Sequence, residues 1–74
     1  ETTTRDMTSL TRKLMQQLPE RQRLVIHMRD IEGYELEEIA HILDSDEASV
    51  RVNLSRARKS IREQLLKMMN YGVR

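Results

Sequence analysis

The chain has no cysteine, tryptophan or phenylalanine, and only one proline and two glycines among its 74 residues. Without cysteine there can be neither a disulfide framework nor a thiolate metal site. Two tyrosines are the whole aromatic content, so leucine, isoleucine, valine and methionine must build the modest core that a chain of this length can bury. The two histidines, His27 and His41, stand at no ligand-like spacing to each other or to carboxylates. No glycine-rich phosphate loop appears, and no nucleophile–base spacing. These absences argue against an enzyme and leave no cofactor or metal to expect. No apolar run approaches the roughly 20 residues of a membrane-spanning helix. Repeats and low-complexity tracts are absent too.

Charge is abundant but unevenly spread. The formal net charge of +1 conceals six Lys and Arg against ten Asp and Glu over residues 1–46, and seven against two over residues 47–74. The basic charge is thus gathered on the last third of the chain, as in a protein with a localised polyanion footprint. Within it, Ser49 to Leu65 holds five cations and one acid, with no Gly or Pro. At about 100° per residue, Val50, Leu54, Ala57, Ile61, Leu65 and Met68 fall on one side of a helix, which should be buried. Arg51, Ser55, Arg58, Lys59 and Arg62 gather on another side, with Arg56 beside them. A merely solvated face usually mixes signs, whereas this one is nearly all positive.

The rest of the chain also reads as helix. Residues 1–5 are polar and aperiodic, a linker remnant; with Glu rather than Met at position 1, the chain is expected to be a fragment or a processed form. Met7, Leu10, Leu14 and Leu18 mark a first helix, with Asp6 or Thr8 as its cap. Pro19 suits the first turn of a second helix, whose apolar side is Leu24, Val25, Met28 and Ile31 and whose stop is Gly33. A short third helix places Glu35, Glu37 and Glu38 in its first turn, where the helix dipole favours anions. Its buried side is Leu36, Ile39, Ala40 and Leu43. Asp44-Ser45-Asp46 must then turn the chain: Asp44 tolerates the left-handed region, and Asp46 is a good N-cap for a fourth helix running to about Met69. The expected organisation is one all-α, four-helix domain over residues 6–70, with the longest helix last and a frayed tail at 71–74. Its short third helix, three-residue turn and basic fourth helix form a C-terminal helix-turn-helix, the unit that lays its second helix in the DNA major groove.

Three pieces, "LPERQR", "RDIEGYELEEIA" and "VRVNLSRARKSIREQL", stand in order between Leu18 and Leu65. This stretch resembles region 4 of bacterial sigma factors of the sigma-70 family, and within it the extracytoplasmic-function group. The resemblance implies a cytoplasmic transcription-initiation module. It would read the −35 element of double-stranded promoter DNA and dock on the flap of the RNA polymerase β subunit, with an anti-sigma factor as a further partner. Arg51, Val52, Ser55 and Arg56 would face base edges. Arg29, the backbone N–H groups around Leu36 and Glu37, and Arg58, Lys59 and Arg62 would lie near phosphates. Flap docking in the family uses an apolar groove, for which Met7, Leu10, Leu14, Met15, Leu66, Met68 and Met69 supply a surplus of flexible apolar side chains.

The chain departs from the family pattern at five positions. Asp44 replaces a common Gly, Ser45 an apolar residue, and Asn53 a basic one. Glu47 adds a negative charge near the DNA face. Glu35 replaces Ser or Thr, which predicts a weaker cap for the third helix. Two other readings share the helical pattern: the output domain of a response regulator, and a sigma-like interaction domain that never touches DNA.

Overall fold

The computed structural model describes residues 2–73, with side chains described for residues 9–69. Four α-helices occur in the order α1 (Thr2–Gln16), α2 (Glu20–Ile26), α3 (Leu36–Ile42) and α4 (Glu47–Val73). No strand occurs among the described residues. The fold is the all-α, four-helix arrangement that the apolar periodicity predicts. Its helix ends lie further out than expected, since α1 starts at Thr2 and α4 runs to Val73. At about 1.5 Å per residue, the 27 residues of α4 span about 40 Å, which sets the 44 Å long dimension of the molecule.

Each connection has a local cause. After α1, the Leu18 N–H donates to the Met15 carbonyl at 3.2 Å, closing a tight turn. Pro19, at φ −53°, is the N-cap of α2 and leaves its carbonyl to accept the Arg23 N–H at 2.9 Å. Beyond Ile26 the helix widens into a π-helical turn, His27–Ile31. Gly33, at φ +80°, ends it, and the Tyr34 N–H donates six residues back to the Met28 carbonyl at 2.9 Å. This is a Schellman-like stop one residue wider than usual, as the π turn requires.

The π turn corrects the expected apolar side of α2. Its one extra residue rotates the end of the helix relative to an α period. Ile31, at the end of that turn, is therefore half exposed; before it, within α2 itself, Ile26 is buried beside Val25 while Leu24 is only partly covered.

The α3 terminus also differs from expectation. Glu38 reaches back to accept the Glu35 N–H at 2.9 Å, the capping-box bond, so a Glu at the N-cap still leaves this end satisfied. At the other end Asp44 takes φ +53°, and the Ser45 N–H donates to the Ala40 carbonyl at 2.8 Å. Asp46 then caps α4, its Oδ1 accepting the Ser49 N–H at 2.7 Å.

The core is a single cluster. Val25 from α2, Ile39 from α3 and Val50 and Ala57 from α4 are essentially sealed, with Met15, Leu18, Ile26, Ala40 and Leu54 around them. Burying a Val- or Ile-sized side chain contributes roughly 1.5–3 kcal/mol, so these few contacts carry most of the fold. Leu36, Leu43 and Ile61 close the edges. Leu14 is buried. The α4 stripe holds its phase from Val50 to Ala57, is half covered at Ile61 and Leu65, and then outruns its neighbours. Met68, expected on the buried side, is exposed, as are Leu66 and Met69. No charged or polar residue is buried among the described ones, so every cation of α4 up to Arg62 lies at the surface. No helix among the described residues is long and apolar enough to cross a membrane.

Candidate nucleic-acid interface

The surface of α4 carries two polar stripes, each built by helical spacing. Arg51, Ser55, Arg58 and Arg62 form one, and Val52, Arg56, Lys59 and Glu63 the other. All eight are exposed, Val52 included at 46%. An exposed Val flanked by arginines contributes nothing to the core, but its methyls suit a thymine methyl in a groove. The sealed row Val50–Leu54–Ala57 fixes the phase of both stripes, so α3 and α2 aim them outward.

The cations differ in what holds them. Arg56, Lys59 and Arg62 have no ion-pair or hydrogen-bond partner among the described residues. Arg51 lies 3.5 Å from Glu47, one turn earlier, with both side chains about half exposed. Arg58 is committed elsewhere: Nη2 and Nε both donate to the Asp30 carboxylate, the Nε bond at 3.3 Å, tying α4 to the π turn. That hydrogen bond, more than the Coulomb attraction, raises the Arg58 pKa further above its ordinary value. Arg29 donates to the Tyr34 carbonyl at 2.8 Å and lies 3.5 Å from Glu35, pinning the link into α3. Asn53 lies back along the helix and donates to the Ser49 carbonyl at 2.9 Å.

The expected base-facing residues Arg51, Val52, Ser55 and Arg56 therefore share the exposed leading half of α4. Lys59 continues their surface. Leu36 is the first residue of α3, with Glu37 and Glu38 beside it. Arg58 and Arg62 turn instead toward a second feature, a shallow groove of about 400 Å³ between α1, the π turn and α4. Met15, Ile26, Ile31, Ile61 and Leu65 make its apolar floor and wall, and Asp30 and Arg58 its rim. A neighbouring groove of about 660 Å³, across Ile31, includes Arg12, Leu24 and His27. Of the surplus apolar residues, Leu14 and Met15 are core, Leu10 is partly covered, and Leu66, Met68 and Met69 are exposed; the Met7 side chain lies outside the described residues.

Sequence reasoning missed Asp30 and Ile31. Asp30 is 28 residues from Arg58, and no local pattern links them. Ile31 looked like core because the period was taken as α throughout.

A short helix, a four-residue turn and a longer helix with an outward basic surface define a helix-turn-helix of the DNA-binding kind. The chain belongs to the family "Sigma-70, region 4", whose model matches residues 9–61. In sigma factors this region binds the −35 promoter element. No curated protein matches the chain.

Proposed function

We propose that this domain reads the −35 element of promoter DNA with the leading half of α4 while holding core RNA polymerase through its apolar groove, as part of a cytoplasmic sigma factor of the extracytoplasmic-function group. The observation that carries the DNA reading is the outward surface of Arg51, Val52, Ser55 and Arg56 on a helix whose opposite side is locked into the core. Arginines there form bidentate bonds to guanine, and Val52 covers a thymine methyl. Lys59 neutralises a phosphate, and Arg62 does so only by turning away from the groove it lines. Arg29 and the N–H groups at Leu36 approach the backbone from the other helices. Arg58 reaches a phosphate only by giving up Asp30, so its first role is to clasp α4 to the π turn.

The groove suits a short amphipathic segment of the β-subunit flap. It is apolar, holds the adaptable side chain of Met15, and has a rim of opposite charges that can register a partner. An anti-sigma factor would compete for the same surface.

Titrating the domain with cognate and scrambled duplexes at several salt concentrations tests the DNA reading, and NMR titration with a flap fragment tests the docking. Equal affinity for all duplexes would remove the first, and absence of chemical-shift changes around Ile31 and Leu65 at millimolar flap fragment would remove the second.

A further inference from the structure

The turn between α3 and α4 and the first residue of α4 together carry three acids within four residues, Asp44, Asp46 and Glu47, directly before the basic surface. Two have local work. Asp44 adopts the left-handed conformation that the turn needs, and the Asp46 carboxylate caps α4. Glu47 has neither task. It is the first residue of α4, about half exposed, with its carboxylate 3.5 Å from the Arg51 guanidinium. That distance exceeds the roughly 2.7–2.9 Å of a full charge-assisted hydrogen bond, so both groups keep capacity for other partners.

A carboxylate at the leading end of a helix that enters DNA is unfavourable unless it meets a donor, since phosphates and most base-edge atoms are acceptors. The major groove offers only two base-edge donors, the amino groups of cytosine and adenine, and adenine sets an acceptor next to its amino group. Cytosine does not. We propose that Glu47 is a specificity-determining residue, selecting a cytosine close to the guanine that Arg51 reads. The assignment rests on the DNA reading proposed above. Glu47 and Arg51 lie one helical turn apart, about 6 Å along α4. Base pairs rise about 3.4 Å each, which puts the cytosine within about two base pairs of the guanine. The same carboxylate repels sites lacking that donor, so it sharpens selectivity at the expense of affinity for unrelated DNA.

The test is selection of randomised duplexes by the 74-residue chain and by three variants, each checked for unchanged helicity by circular dichroism. The wild type should enrich a guanine with a cytosine within two base pairs. Glu47→Ala should keep the guanine, lose the cytosine preference by roughly five- to a hundredfold, and bind scrambled duplex more tightly. Glu47→Gln should shift the preference at that position toward adenine, which an amide matches with both a donor and an acceptor. Arg51→Ala should lose the guanine. If Glu47→Ala selects the same sites as wild type while Arg51→Ala does not, the proposal fails and the DNA reading stands. If the wild type selects no sequence at all, both fail.

Discussion

The two halves of α4 are one uninterrupted helix put to different uses. From Glu47 to Ala57 its apolar stripe is sealed into the core with α2 and α3, and its outside is basic. From Arg62 onward the apolar positions continue, but Leu66, Met68 and Met69 are exposed, and Leu65 edges the groove. The same periodicity thus produces core in one half and open apolar surface in the other. What differs is how fully the described neighbours cover each half. The leading half is rigidly held and can aim side chains at base edges; the trailing half offers surface for a partner.

The sharpest break of this comparison is a pair of truncations. Leu54→Ala should cost roughly 2–5 kcal/mol in urea melts, as for other sealed leucines. Leu66→Ala, twelve residues along the same helix, should cost no more than about half a kcal/mol. Equal losses would mean that the trailing half is packed as well.

Next in size is the division of binding. Arg56→Ala should cost about 1–3 kcal/mol on a cognate duplex and relax preference at particular base pairs, with flap binding unchanged. Ile31→Ala should do the reverse, weakening flap association by about 1–2 kcal/mol by calorimetry while DNA affinity stays the same. If each variant harms both activities, the two surfaces are not separate.

A finer distinction lies among cations of the leading half. Arg58→Ala should lower stability by about 0.5–1 kcal/mol, the range for exposed ion pairs, and the loss should shrink in high salt. Its effect on the salt dependence of DNA binding should be slight. Lys59→Ala should leave the melt unchanged and reduce the salt slope by about one unit, because one phosphate is no longer neutralised. The opposite pattern would place Arg58 on the DNA and make the Asp30 clasp incidental.

The smallest effect is expected at the turn that sets the angle between α3 and α4. Asp44→Gly removes the steric cost of φ +53° but adds freedom to the unfolded chain, so the net gain in urea melts should stay below about 1 kcal/mol. A loss of stability would show that the Asp side chain contributes more than its backbone conformation costs.

Much of this was legible in the residues because the signals are local. Periods of three and four place Leu14, Val25, Ile39, Val50, Leu54 and Ala57 inside, and all six are buried. Gly33 and Asp44 stand where positive φ is needed, and Asp46 where an N-terminus must be capped. The outward basic surface is settled once that phase is known, since a helix fixes the direction of every side chain relative to its buried row. Neighbours within about five residues decide these features, so sequence by itself determined the helices, their turns and the side of α4 that could meet DNA.

Tertiary structure decided the rest. How far the apolar row of α4 is covered depends on which side chains the other helices bring beside it, and no residue of α4 encodes that. The π turn at His27–Ile31 moves Ile31 out, a rotation that an α period does not anticipate. Arg58 looked like one more surface cation until the fold brought Asp30 to it from 28 positions away. Such pairings cannot be read along the chain, because an ion pair depends on distance in space, and only the packing of the helices against one another sets that distance.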